Sequence, residues 1–282
     1  MVKRKMNHIE DEYEGVDGIK LYYQAWLPET PKAVVQVIHG FAEHSGRYKN
    51  VVNQLVPKGY TIYAHDLRGH GKSEGLQNYV DSMDQYVEDE KKFYDIIKEK
   101  HSNLQIFMHG HSMGSGIAMY FTKKYEILLA GLILSGPAKY FGGEAGKMKR
   151  AFAKQMSKTF PKLRASSGFD PELLSRDPEV VEAYKNDPLV HYKKITARLG
   201  WEMIKSFEEA TEIVGDFKLP VLIQRGAEDS AMTGTEELRD AFTVSDLTYK
   251  EYDGLYHEIY NELEKDRTRV LNDLSDWLDK HL

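Results

Sequence analysis

His109-Gly110-His111-Ser112-Met113-Gly114-Ser115-Gly116 is the stretch that decides how this chain reads. A largely apolar run, Leu104-Gln105-Ile106-Phe107-Met108, precedes it, and Ile117-Ala118-Met119-Tyr120-Phe121 follows. A strand, a tight turn carrying a serine between two glycines, then a helix is the context in which Gly-x-Ser-x-Gly forms a nucleophile elbow. The serine of such a turn sits in a sparsely populated backbone conformation, and a Cβ at Gly110 or Gly114 would strike the crossing backbone. The turn lifts the Ser112 hydroxyl clear of the sheet. It also sets the N–H of Met113 at a helix N-terminus, where it can donate to an oxyanion. The motif alone occurs by chance. Its weight depends on whether the chain supplies a base, an acid and a second donor in the right order.

Outward from the elbow, strands and helices alternate. Residues 33–38, Ala-Val-Val-Gln-Val-Ile, form a nearly continuous apolar run, as in a strand buried on both faces. Residues 19–26, 60–64, 131–135, 221–224 and 248–252 read as further strands. Between them, residues 82–101 place Tyr86, Phe93, Ile96 and Ile97 on one helical face, with Ser82 or Asp84 as cap. A helix is expected at 235–242, and a last one carries Val270, Leu271, Leu274, Trp277 and Leu278 at i, i+3, i+4 spacing. This order predicts an α/β fold, a mostly parallel central sheet flanked by helices.

The alternation stops between 137 and 216, which reads as helices and loops without a clear strand. The expected organisation is an α/β core at 1–136, a helical cap at 137–216, and the rest of the core at 217–282. The insertion enters after the C-terminal end of a strand, the edge where open α/β sheets bind ligands, so it is read as a lid.

Composition narrows the function classes. A net charge of −6 leaves no overall positive field to neutralise phosphates, which argues against general nucleic-acid binding. The absence of cysteine excludes disulfides and thiolate chemistry. The charged first fifteen residues show no secretory apolar region. No apolar run approaches the ~20 residues of a membrane span. A cytoplasmic protein, peripheral to a membrane at most, is the expectation.

A serine hydroxyl needs a base and an orienting acid, and in elbow-bearing folds these follow in the order acid, then histidine. Downstream of Ser112 stand His191, His257 and His281. His191 lies in the insertion and His281 is penultimate, in a position expected to fray. His257 follows the last strand and is selected. Asp229, three residues after Gly226 and just beyond the 221–224 strand, is the expected acid, with Glu228 and Asp253 as competitors. It would hold His257 in the tautomer whose free nitrogen accepts the serine proton. The second oxyanion donor should come from the loop after 33–38, which nominates the N–H of Phe41 beside that of Met113.

Two other motifs invite a reading. Gly69-His70-Gly71-Lys72-Ser73 resembles the end of a phosphate-binding loop, but position 66 holds aspartate where that loop needs glycine, and a structural turn is favoured. His109 and His111 suggest a metal pair, yet the sequence places no third ligand, so no metal is expected.

The chain resembles the monoacylglycerol lipase and lysophospholipase family of the α/β-hydrolase superfamily. The resemblance rests on residues 39–48 (His-Gly-Phe-Ala-Glu-His-Ser-Gly-Arg-Tyr), 66–73, 110–114, 187–191 (Asp-Pro-Leu-Val-His) and 254–258 (Gly-Leu-Tyr-His-Glu), so it spans nearly the whole chain. It implies an α/β-hydrolase fold with a membrane-facing helical cap over an acyl tunnel. It implies a triad matching Ser112, Asp229 and His257, oxyanion donors matching Phe41 and Met113, and no cofactor. Two positions depart from the family. Phe41 stands where a smaller residue is frequent, and Ser115 where a third glycine is.

The expected activity is cleavage of a lipid carboxylic ester, foremost a monoacylglycerol. Lysophospholipids, short-chain esters, peptide amides and a non-catalytic receptor are the alternatives. Glu43, His44 and Arg47 are candidates either for contacting a glycerol head group or for bracing the oxyanion loop. Met148, Phe152, Met156 and Phe160 recur every fourth residue beside Lys147, Lys149, Arg150, Lys154 and Lys158. Two readings stand for this stripe, an interfacial helix that touches anionic lipid and admits acyl chains, or a lid helix packed on the core.

Overall fold

The computed structural model describes residues 6–141 and 147–282. Glu144, the lone acid within the basic stretch of the insertion, and the first five residues of the segment read for a leader lie outside them. The strands are β1 (Asn7–Glu14), β2 (Lys20–Leu27), β3 (Ala33–Ile38), β4 (Tyr60–His65), β5 (Ile106–His111), β6 (Gly131–Ser135), β7 (Tyr140–Phe141), β8 (Arg164–Ser166), β9 (Lys194–Thr196), β10 (Val221–Gly226), β11 (Met232–Thr233) and β12 (Leu247–Tyr252). Eight of them form one sheet in the order β1-β2-β4-β3-β5-β6-β10-β12. β2 pairs antiparallel with both β1 and β4, and every other pair is parallel. β3, β4, β5, β6 and β10 are buried at every position, as strands with helices on both faces must be.

Two apolar layers sandwich this sheet. On one face α1 (Lys49–Leu55) and α8 (Glu264–Lys280) bring Val51, Leu55, Val270, Leu274 and Trp277 against Val35, Phe107 and Leu222. On the other, α2 (Met83–Lys100), α3 (Met113–Tyr125), α6 (Ala197–Ile213) and α7 (Thr235–Ala241) contribute Phe93, Ile117, Phe207 and Leu238. The Ser82 hydroxyl caps α2 by accepting from the N–H of Gln85 at 3.3 Å.

The structure departs from the sequence reading at four places. β1 was not foreseen, because only Tyr13 of its eight residues is buried and a charged edge strand carries no apolar alternation. The 137–216 stretch holds short strands after all: β7 pairs with β11, and β8 with β9. Two or three residues are too few to show a period of two. α6, inside the same stretch, packs on α3, where Gly116 faces Ser206 and Phe207, so the stretch contains a core-layer helix as well as α4 (Lys147–Thr159) and α5 (Pro178–Asn186). Finally, His281 is fixed rather than frayed. Its ring lies 4.2 Å from Trp277 and its nitrogens bond the Trp277 carbonyl and Asp246.

Candidate active site

The elbow forms as its glycines require. Ser112 has φ 52° and ψ −121°, between the end of β5 and the first residue of α3. A Cβ on Gly110 would come within 2.4 Å of the Gly114 carbonyl oxygen, and one on Gly114 within 2.3 Å of that of Ile38. Both approaches are impossible, so the tight crossing of β5, α3 and the end of β3 demands glycine at both positions. The Ser112 N–H donates to the Ser135 carbonyl at 3.0 Å. Ser115, the departure from a third glycine, is fully buried, and its hydroxyl donates to the Ser112 carbonyl at 2.5 Å. The extra side chain is thus absorbed into the elbow itself. The N–H of Met113 heads α3, where backbone donors have no intrahelical acceptor.

His257 lies in the loop after β12 and Asp229 in the loop after β10. The Nδ1–H of His257 donates to Asp229 Oδ2 at 2.7 Å, and both residues are buried. Asp229 Oδ1 accepts from the N–H groups of Ala231 and Met232, each at 3.1 Å. The carboxylate is therefore fixed by three donors. Glu228 and Asp253 are exposed. Burial alone would depress the His257 imidazole, but the Asp229 carboxylate outweighs it and raises the group above its usual 6.5. His191 lies away from this pair and bonds the oxyanion loop through its backbone, N–H to the Ala42 carbonyl at 3.3 Å.

Ser112, His257, Phe41 and Gly40 line one crevice. Phe169, Leu174 and Tyr184 of the insertion close it from above. About 10 Å³ of it admits a water-sized sphere, room for one water and not for an acyl chain.

Glu43, His44 and Arg47 are all engaged as braces. Glu43 accepts from the N–H of Gly40 at 2.6 Å, the Tyr48 hydroxyl at 2.9 Å and the Arg47 guanidinium at 2.9 Å. Arg47 reaches on to both carboxylate oxygens of Glu258, next to His257. Its guanidinium lies 4.6 Å from the centre of the Tyr184 ring. Burial would raise the Glu43 carboxyl, but the Arg47 charge and the Gly40 N–H hold it well below the usual range. His44 Nδ1 accepts from Gly46 N–H, and its Nε2–H donates to Asp187 at 2.9 Å, joining the oxyanion loop to the insertion.

The remaining candidates are placed elsewhere. Met148 is 88% exposed and Phe152 67%, and Met156 is half-buried. None of the three lines the crevice around Ser112. α4 instead meets α6 through buried Ser157, an Arg150–Glu208 ion pair and Lys154 over Trp201. A four-residue period marks an apolar stripe but cannot say which way it faces, and here it faces out. Asp66 fills the loop that resembled a phosphate cradle, accepting from the N–H groups of Ser45 and Lys72 at 2.8 Å. His111 donates to the Ser135 carbonyl at 3.1 Å and lies 4.8 Å from the His257 ring, while burial pushes His109 down to about 3.

Several site residues were not anticipated. Phe169, Leu174 and Tyr184 carry no pattern that separates them from ordinary cap residues. Glu258 could have been suspected, since it adjoins His257 and needs a cation, which Arg47 supplies.

Comparison with known proteins adds an independent line. A family model described as serine aminopeptidase, S33, matches residues 29–264. The monoacylglycerol lipase of Mycolicibacterium smegmatis is 35% identical, over 97% of this chain and 98% of its own. The Homo sapiens monoglyceride lipase is 30% identical, over 93% of this chain and 88% of its own. The crystal structure of Paleococcus ferrophilus monoacylglycerol lipase is 31% identical with a TM-score of 0.82, covering 93% of this chain and 99% of that one.

Proposed function

Since the chain belongs to the serine aminopeptidase S33 family and has an α/β-hydrolase fold, we propose that its Ser112–His257–Asp229 triad hydrolyses monoacylglycerols to fatty acid and glycerol. The enzyme is a serine ester hydrolase. His257 takes the Ser112 proton as the hydroxyl attacks the ester carbonyl. The N–H groups of Phe41 and Met113 stabilise the tetrahedral oxyanion, and each such donor is worth ~10²–10³ in kcat. The imidazolium, stabilised by Asp229, then protonates the departing glycerol oxygen. Water, deprotonated by the same His257, attacks the acyl-enzyme and returns Ser112.

The observation that carries this reading is the 2.7 Å bond from His257 to Asp229 at a crevice that Ser112 also lines. The Glu43–Arg47–Glu258 network holds the oxyanion loop from behind, because Gly40 N–H is bound to Glu43. The Tyr184 hydroxyl, buried without a hydrogen-bond partner among the described residues, remains for a polar head group. An acyl chain enters only when Phe169, Leu174 and Tyr184 withdraw. The exposed Met148 and Phe152 beside the lysines of α4 then suit a lipid surface, with the protein bound peripherally. Among the described residues no helix is long and apolar enough to cross a membrane.

Rates over a panel of monoacylglycerols, lysophospholipids, p-nitrophenyl esters and aminoacyl amides test the substrate. A monoacylglycerol preference is expected. A lysophospholipid or amide preference overturns it.

A further inference from the structure

A second cavity, larger than the crevice at Ser112, opens at the seam between the insertion and the core. Its volume is about 290 Å³, and Arg164, Lys185, His191, Lys193 and Lys194 line it. Among the described residues no carboxylate is in the wall. Lys185 is held by Glu172 and Glu182. Among the described residues Lys193 and Lys194 form no ion pair, and both are exposed. Arg164 is kept at the rim by the side-chain oxygen of Gln77, 3.2 Å away. Gathering four side-chain cations round one hollow works against folding through self-repulsion, in a chain whose net charge is −6. Glu172 and Glu182 relieve Lys185, whereas among the described residues Arg164, Lys193 and Lys194 have no ion-pair partner and border an open cavity.

We propose that this cavity binds a phosphate group. A carboxylate has two oxygens to offer. A phosphate sets its oxygens tetrahedrally rather than in one plane, four unesterified in the free ion, three in a monoester and two in a diester, and so matches a planar guanidinium fork combined with ammonium groups from several sides. At ~30 Å³ per water the hollow has room for the group and for a glycerol-sized substituent. The shared chemistry is a phosphomonoester or phosphodiester, from a soluble metabolite or from the head group of an anionic lipid.

The site is also placed to be felt at Ser112. Tyr192, in its wall, packs 5.5 Å from Tyr184, which closes the catalytic crevice. The His191 N–H bonds the Ala42 carbonyl in the oxyanion loop, and Asp187 bonds His44. The 187–194 segment therefore connects the cavity wall to the loop beside Ser112.

The test measures binding, so it does not depend on the proposed triad or substrate. In phosphate-free buffer, inorganic phosphate and glycerol 3-phosphate are titrated into the full chain by calorimetry. Vesicles of phosphatidylglycerol and of phosphatidylcholine are compared by sedimentation. Lys193→Glu/Lys194→Glu removes the exposed cations, and Lys100→Glu/Lys123→Glu imposes the same charge change elsewhere. Saturable binding of either soluble ligand, or selective binding of phosphatidylglycerol, is expected, at least tenfold weaker in the first double variant and unchanged in the second. Bound phosphate should also raise the unfolding temperature of the wild type and not of Lys193→Glu/Lys194→Glu. Stronger binding of glycerol 3-phosphate identifies a soluble ligand, and binding to phosphatidylglycerol alone identifies a lipid head group. The proposal is overturned if no ligand saturates, or if both double variants bind as the wild type does.

Discussion

The floor of the site and its roof are held by different kinds of contact. On the floor, each group is fixed several times over. Asp229 accepts three hydrogen bonds, Glu43 accepts three, and the elbow is locked by glycines that tolerate no Cβ. The roof meets the floor through the side chains of Phe169, Leu174 and Tyr184, through the His44–Asp187 bond, and through backbone bonds from the His257, Glu258 and His191 N–H groups to the Leu173, Leu174 and Ala42 carbonyls. Its helix α4 turns Met148 and Phe152 outward. Chemistry that depends on sub-ångström placement thus sits on the ends of buried strands, whereas the cover over it is made by the side chains of Phe169, Leu174 and Tyr184. Side-chain contacts can be exchanged for lipid contacts at little loss, which a buried hydrogen-bonded carboxylate cannot.

The contrast is broken most easily at its centre. Ser112→Ala should lower kcat by on the order of 10⁶-fold while leaving the unfolding temperature within a few degrees, as steady-state rates and thermal melts would reveal. Asp229→Asn keeps the shape but favours the wrong imidazole tautomer, and about a 10⁴-fold loss is expected. The pH profile adds a sharper check. His257 must be neutral to accept the proton, and Asp229 raises its titration above 6.5. The acidic limb of kcat/KM should therefore lie above pH 6.5 and move to lower pH in Asp229→Asn.

Behind the oxyanion loop the effect passes from rate to stability. Glu43→Ala leaves Arg47 with one carboxylate, and Gly40 N–H and Tyr48 without acceptors. Urea unfolding should show a loss of about 3–5 kcal/mol at pH 7. Because the folded Glu43 carboxyl titrates below its unfolded value of 4.5, its contribution is complete above that pH. It disappears as pH falls from there through the lower folded value, so wild type and variant should converge in acid.

The roof should respond in the opposite sense. Met148→Glu/Phe152→Glu alters exposed side chains, and stability should stay within about 0.5 kcal/mol. Hydrolysis of micellar or vesicle-borne ester should fall severalfold, with a soluble p-nitrophenyl ester cleaved at nearly the wild-type rate. Equal loss on both substrates would place these residues at the acyl site, against the outward face of α4.

The same division governs what the sequence reveals. Chain order after an elbow selects His257 over His191 and His281, and a fixed spacing after a buried strand selects Asp229, because strand ends have few ways to aim a side chain. The buried strands β3 to β6 are legible since apolar runs leave no alternative. β1 is not, because its cross-strand bonds to β2 involve backbone rather than apolar side chains. The outward stripe of α4 is invisible for another reason: periodicity gives a face and no direction. Glu43 and Arg47 carry charge that suits a ligand equally well. Only the distances to Gly40 and Glu258 show that these groups brace the loop.

The central claim is that Ser112, activated by His257, is the nucleophile of a preformed floor. Labelling with a fluorophosphonate probe, mapped by peptide mass, tests it most directly. The account predicts a single adduct on Ser112, loss of labelling in His257→Ala, and wild-type labelling in Met148→Glu/Phe152→Glu. An adduct on another residue, or unchanged labelling in His257→Ala, would contradict it.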